Sequence, residues 1–248
     1  MTVPKSHPRY LSLSTRDRLV EGWERGLVVT QGLIAHGRGE AFDYLLGEET
    51  TEPAQKAERA AAASLLIADR PVISVNGNVG ALVSSDIKVL SDLLECPVEV
   101  NIFHRTEERV SRIISEMEEA GCERVLGGDP DASIPGLDHA RALCTKDGIY
   151  SSDVILVPLE DGDRCKALKK MGKKVITIDL NPLSRTSRCA DITIVDNIIR
   201  ALPKLIVYVK ELKGKSIEAL EEMAEEYENV DGLDDVLELM ARRYLSGE

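Results

Sequence analysis

The chain has 248 residues, enough to bury a full core as one large domain or two small ones, and its formal net charge is −12. That charge excludes a general nucleic-acid binder, which needs a basic face, but leaves room for a local basic pocket. There is no apolar run of about 18 residues, and the opening MTVPKSHPRY has no apolar core, so neither a membrane span nor a secretory leader is expected.

Leu11, Leu19, Val20 and Trp23 recur at helical spacing with charges between them, which predicts a first helix up to Gly26. A short second helix is predicted through Gly32 to Ala35. A third is predicted from near Glu40, carrying Phe42, Tyr44, Leu45 and Leu46. Thr51-Glu52-Pro53 is a helix start with proline in the first turn, and the alanine-rich run from Ala54 to Ala68 is expected to pack closely against something flat. From Pro71 the rhythm changes to strand, helix, strand. VISVN is the first strand, Ser85-Asp86 opens a helix carrying Ile87, Leu90, Leu93 and Leu94, and VEVNIF is the second strand. Thr106 is placed to cap a further helix, with Glu107 and Glu108 in its first turn. A short strand around Val125 precedes a long loop, GGDPDASIPGLDH. DVILVPL, KVITIDL and ITIVD then supply three more strands, with a short helix after Gly162, and the tail from Ile198 reads helical and acidic.

Alternating strands and helices with apolar strand runs predict an α/β protein, a Rossmann-like and mostly parallel sheet with helices on both faces. One domain is expected over 1–248: a helical arm (1–69), the sheet core (70–197) and C-terminal helices (198–248). The cysteines Cys96, Cys122, Cys144, Cys165 and Cys189 are odd in number and form no C-x-x-C pair, so they read as reduced packing residues of a cytoplasmic protein.

In such folds, ligands bind beyond the carboxyl ends of the strands, and these ends are unusually polar here. The fifth strand stops at Asp179 and runs into Asn181, Ser184, Arg185 and Thr186: an acid suited to a nucleoside, then a forked cation and a hydroxyl suited to phosphates. Asp196-Asn197 closes the sixth strand ahead of a helix start. In His36-Gly37-Arg38-Gly39-Glu40, glycines flank an arginine just before a predicted helix. This reads either as an anion site on that helix's free amides or as a tight turn between helices with a surface arginine. His36 is either a ligand or a structural partner. Asn76 and Asn78 bracket Gly77 at the first strand end, as binding amides or as a turn. Glu160, Asp161 and Asp163 follow the fourth strand, as magnesium ligands or as caps of the next helix. Gly214-Lys215-Ser216 resembles the end of a P-loop, but Val209 stands where the first glycine belongs. The G-x-G-x-x-G spacing of dinucleotide folds is also missing.

The blocks KSHPRY, GLIAHGRGEAFDYL, PVISVNGNV, FHRTEERV, VPLEDGDR, TIDLNPLSRTS and ITIVDN, taken in order from about Pro4 to Arg200, closely resemble the archaeal phosphopantothenate synthetases. These are the 4-phosphopantoate–β-alanine ligases of coenzyme A synthesis. The resemblance implies a homodimeric enzyme that condenses 4-phosphopantoate with β-alanine and splits ATP to AMP and diphosphate, with Mg2+ accompanying the ATP. It implies ATP contacts at Arg16, Arg38, Asp179, Leu180, Asn181, Arg185, Thr186, Asn197 and Ile198. His36, Asn76 and Asn78 are left as candidates for the substrate's phosphate, hydroxyl or carboxylate. No dedicated protein metal site is expected, and no residue is assigned as the general base for β-alanine. The alternatives are a nicotinamide-dependent dehydrogenase and a non-catalytic nucleotide-binding regulator.

Overall fold

The β-branched runs become strands, and the sheet they form sets the position of everything else. The computed structural model describes residues 4–246. Six short strands, β1 (Val72–Val75), β2 (Val98–Val100), β3 (Val125–Leu126), β6 (Val154–Leu156), β7 (Lys174–Ile178) and β8 (Ile192–Ile194), form one sheet in the order β3-β2-β1-β6-β7-β8. Every pairing in it is parallel. Inside the segment predicted to be a long loop, β4 (Ala132–Ser133) and β5 (Leu143–Cys144) make a small antiparallel ribbon.

Side chains alternate across the sheet as the two-residue period demands. On β1, β6 and β7, Ile73, Val75, Leu156, Ile176 and Ile178 face one hydrophobic cluster. Val72, Ile155 and Val175 face a second cluster. The first is covered by α3 (Glu52–Leu66), α4 (Gly77–Leu94), α5 (Glu107–Glu119) and α7 (Ile198–Leu212). The second is covered by α6 (Gly162–Lys170) and the β4–β5 region. The arm is α1 (Tyr10–Glu24) and α2 (Thr30–Leu46), and the tail adds α8 (Ile217–Glu225) and α9 (Asn229–Ser246). The alanine run meets its flat partner: Ala57 and Ala60 to Ala63 are buried where α3 packs on α7 and β8. Thr51 and Thr106 cap α3 and α5 as expected.

Two predicted boundaries are corrected. The two helices read on either side of His36-Gly37-Arg38-Gly39 are one continuous α2, ending at Gly47 in the left-handed region (φ 82°). The glycines cost helix propensity, about 1 kcal/mol each, and packing within the subunit does not demand them: a Cβ on Gly39 would meet Leu180 at an ordinary 3.6 Å, and one on Gly37 would meet nothing within 4 Å. The helix predicted from Ser85 begins at Gly77, with Asn76 as its cap. Val83 is non-helical within it (φ −141°), so a start signal just beyond the break was legible while the first turns were read as a turn.

Glu58 is the exception in the alanine helix. It is fully buried, and neither carboxyl oxygen has a hydrogen-bond partner. Burial, aided by Asp196 and opposed by Lys204 and Arg200, pushes its pKa up to about 9. The folded state therefore binds a proton there that the unfolded chain releases near its ordinary carboxyl pKa of 4.5. Stability from this group is full below that value and is lost as pH rises toward about 9, at up to ~1.4 kcal/mol per pH unit. Glu58→Gln is expected to gain stability over the parent progressively from about pH 5 to about pH 8 in urea unfolding, and a difference independent of pH would contradict this.

Candidate active site

The chain reverses its direction of winding between β1 and β6, and a crevice opens at their carboxyl ends, as it does at such points in doubly wound sheets. Asn76, the residue after β1, spans this point. Its Nδ2 donates to the carbonyls of Pro158 (3.1 Å) and Leu159 (3.3 Å) beyond β6. Its Oδ1 accepts the amides of Asn78 and Val79, starting α4. Leu159 sits at φ 55°, a conformation that costs a non-glycine residue about 1–3 kcal/mol and is held in place by those two bonds.

The crevice is a cleft of about 510 Å³, and α2 forms one of its walls. Asn78 Nδ2 donates to the Gly32 carbonyl (3.0 Å) near the start of α2. Toward the other end, Asp43 receives Asn197 Nδ2 (2.9 Å) and Arg200 Nη2 (2.5 Å), and Arg200 also pairs with Asp196. Between these two latches α2 presents His36, Arg38 and Gly39 to the cleft.

Nine of the twelve expected contact residues line this one space: His36, Arg38, Asn76, Asn78, Asp179, Leu180, Asn181, Asn197 and Ile198. The other three do not. Arg16 is held by Glu40 (2.8 Å) and the Tyr44 hydroxyl (3.0 Å). Arg185 is exposed and pairs with Asp163. Thr186 is buried, and its hydroxyl donates to the Glu160 carbonyl (2.8 Å). The expectation that Arg38 precedes a helix start is also corrected. Arg38 lies in the interior of α2, so it meets the cleft as a side chain and without open helix amides beside it.

Burial dominates the electrostatics. It raises the Asp179 pKa, with Ser184, the Asn181 amide, Ser187 and the Arg38 charge pulling it back. It raises that of Asp196 against Arg200 and Thr50. It lowers that of His36, assisted by Arg16 and opposed by Glu40 and Asp43, which favours a neutral imidazole.

The three acids after β6 do not assemble a cation site. Glu160 is buried between Arg141 (2.7 Å) and Arg164, and Asp161 caps α6 by accepting the Arg164 amide (2.9 Å). Among the described residues no group of three potential metal-ligating side chains is found. The P-loop-like Gly214-Lys215-Ser216 is the turn between α7 and α8, where Ser216 caps α8.

Sequence reasoning missed Phe103, His104, Arg109 and Arg141, which line the cleft together with Glu160. Glu160 was noticed as an acid at a strand end. The arginines carried no spacing signal, because Arg109 lies on α5 and Arg141 follows a long irregular segment.

A family model described as phosphopantothenate/pantothenate synthetase matches residues 53–243. A protein of Thermococcus kodakarensis named 4-phosphopantoate–β-alanine ligase is 54% identical over 238 residues, covering 96% of this chain and 91% of its own. Proteins of the same name from Methanosarcina mazei (53% identical; 92% and 89% covered) and Methanospirillum hungatei (51%; 98% of both) are also similar along nearly their whole length.

Proposed function

The chain belongs to the phosphopantothenate/pantothenate synthetase family, and we propose that it joins 4-phosphopantoate to β-alanine at the cleft, splitting ATP to AMP and diphosphate in coenzyme A biosynthesis. The observation that carries the assignment to this cleft is the convergence of Arg38, Asp179, Asn181, Asn197, Asn76 and Asn78, from four separate segments, on one space at the strand ends. The alternatives lose ground to the near full-length similarity to ligases.

The reaction runs in two steps. The phosphopantoate carboxylate attacks the α-phosphorus of ATP, and diphosphate leaves. The β-alanine amine then attacks the acyl-adenylate carbonyl, and AMP leaves. An anion attacking an anion needs charge neutralisation and positioning more than it needs a protein nucleophile. Arg38 supplies charge to the phosphates. Asp179 and Asn181 hold the nucleoside, with Leu180 and Ile198 as its apolar contacts and Asn197 beside them. Arg16 and Arg185 keep carboxylate partners in this structure, so the phosphate charge falls first to Arg38. His36, Asn76 and Asn78 serve the phosphopantoate or β-alanine groups.

The cleft carboxylates Glu160, Asp179 and Asp196 already accept arginine or hydroxyl donors, so Mg2+ fits here as a passenger on the triphosphate, held by phosphate oxygens and water. Bound there, it would withdraw charge from the phosphates.

The assay that tests this reading supplies phosphopantoate, β-alanine and ATP and omits each in turn. Sustained AMP release is expected only with all three, and AMP release that persists without β-alanine would contradict amide formation.

The whole chain works as one unit and as a homodimer in the cytoplasm. The alanine-rich helix is used up inside the subunit, whereas the arm exposes Leu11, Trp23, Ile34, Tyr44 and Leu45. The arm is therefore the pairing surface. Trp23→Glu is expected to shift the protein from dimer to monomer in sedimentation velocity, and an unchanged mass would exclude the Trp23 face. No helix among the described residues is long and apolar enough to cross a membrane, and the five cysteines are unpaired.

A further inference from the structure

Two thiols that the proposed reaction does not use lie together behind the Asp179 end of the cleft. Cys165 is in the first turn of α6, and Cys189 is in the loop that joins β7 to β8. Neither is in a disulfide, and Cys189 is the one cysteine among the described residues that is not fully buried. The two segments are in direct contact. A Cβ on Gly162, at the start of α6, would stand 2.5 Å from the Arg185 Cβ and 3.0 Å from its carbonyl carbon, so the loop backbone lies on the helix start. Thr186 ties the loop down through both of its oxygens. Its hydroxyl donates to the Glu160 carbonyl (2.8 Å), and its own carbonyl accepts the Cys189 amide (2.9 Å) with the Cys165 Sγ 4.0 Å away. The backbone of one cysteine and the thiol of the other thus converge on one oxygen.

The sulfurs are close enough to act on each other. Burial, and then the Cys189 thiol through its charge and a hydrogen bond, raise the Cys165 pKa; Glu160 adds to the rise and Lys169 opposes it. That difference sets two roles. The thiolate is the reactive form, so the buried Cys165 is a poor first nucleophile, while the partly open Cys189 meets an oxidant first. Both segments reach the site. The loop carries Asn181 and Ser184, which line the cleft and hold Asp179 through the Asn181 amide (3.0 Å) and the Ser184 hydroxyl (2.5 Å). On the other side, α6 starts beside Glu160 and Asp161, which hold Arg141 at the cleft wall. A covalent link between the two segments therefore bears on both walls.

We propose that Cys165 and Cys189 are an oxidisable dithiol, a modification site for hydroperoxides whose disulfide shuts the cleft down; the loss of turnover rests on the ligase reading, whereas formation of the bond does not. The Cys189 thiolate attacks one peroxide oxygen, the O–O bond breaks, and water leaves, so Cys189 becomes a sulfenic acid. The Cys165 sulfur then attacks the sulfenic sulfur, and the displaced hydroxide leaves as a second water with the Cys165 proton. Two electrons pass from the sulfurs to the peroxide, and a reducing dithiol returns them by thiol–disulfide exchange. A disulfide holds its sulfurs at about 2.05 Å, well inside the contact distance of two thiols, so closing it draws the loop onto α6 and displaces Asn181 and Ser184. In reducing compartments such bonds are transient and serve redox sensing.

The test treats the full chain with hydrogen peroxide, maps its peptides by mass spectrometry, and then adds dithiothreitol. A Cys165–Cys189 disulfide is expected, with β-alanine-dependent AMP formation lowered about 10- to 100-fold, the scale for displacing positioning groups by about 1 Å, and restored by the dithiol. Calorimetric titration should show weaker ATP binding to the oxidised form, a readout that needs no amide formation. Cys189→Ala is expected to match the parent's turnover before treatment and to keep it afterwards. Cys165→Ala should stop at the sulfenic acid, trapped on Cys189 by dimedone. Should either variant not fold, the peptide map and the ATP titration of the oxidised parent decide between them. No bond between Cys165 and Cys189, a bond between the neighbouring buried pair Cys96 and Cys122 in its place, or a bonded form that binds ATP as the reduced form does, overturns the proposal. The two readings fail separately. Reduced parent that binds no ATP and forms no AMP refutes the ligase reading, and the peptide map alone then decides whether the dithiol exists. Reduced parent that forms AMP and keeps that turnover after peroxide refutes the dithiol alone.

Discussion

Arg38→Ala is expected to lower the turnover of β-alanine-dependent AMP formation at saturating substrates by about 10²- to 10³-fold, the usual loss when one donor aimed at developing charge is removed. The substitution is clean. Arg38 is exposed on α2 and makes no hydrogen bond or ion pair with the rest of the described chain, so nothing in the fold leans on it. Alanine is also the best helix former for the interior of α2. The melting temperature should hold while turnover collapses. Arg38→Lys retains a point charge but not the planar fork and should recover part of the loss. Turnover at the parent rate in Arg38→Ala would remove the charge-neutralising role, and a matching fall in melting temperature would reassign the residue to structure.

The second large effect is on stability. Glu160 and Arg164 both have side chains with no exposure. Glu160 is the only carboxylate paired with Arg164 among the described residues, and it is shared with Arg141. Burial raises the Glu160 pKa, and the two arginines oppose that rise. Arg164 otherwise keeps the Ser74 hydroxyl at 3.2 Å, and its Nε has no partner. Removing one member of a buried ion pair strands the other, at a cost of about 3–5 kcal/mol. Glu160→Ala is therefore expected to lose about that much in urea unfolding, a large share of the ~5–15 kcal/mol that holds a typical fold. A loss under about 1 kcal/mol would mean that Arg164 finds another partner or water. The substitution also leaves Arg141 with Asp161 alone as its carboxylate partner at the cleft wall, so ligand binding should change with it.

The parallel sheet was legible because its strands are continuous β-branched runs, as in VISV and KVITI, and because helix caps such as Thr51 and Thr106 are local chemistry. The continuity of α2 was not legible. Gly37 and Gly39 look like a break, and the bonds that hold α2 on either side of them, from Asn78 to Gly32 and from Asn197 and Arg200 to Asp43, come from residues distant in sequence. At the site, residues at strand ends could be picked out, since strand ends are readable: Asn76, Asp179, Asn181 and Asn197 all line the cleft. Arg109 and Arg141 could not. They join the cleft because the sheet order sets β1 beside β6, which no local window encodes. Thr186 shows the converse. Its position after a strand suggested phosphate, but its hydroxyl is taken by the Glu160 carbonyl.

The account turns on the cleft bringing the phosphopantoate carboxylate against the α-phosphorus of ATP. The most direct measurement uses 4-phosphopantoate labelled with oxygen-18 in its carboxylate, with mass analysis of both products of ATP cleavage after complete turnover with β-alanine. In-line attack at the α-phosphorus predicts that one labelled oxygen is carried into AMP and none into diphosphate. Label in the diphosphate, or AMP free of label, would contradict it.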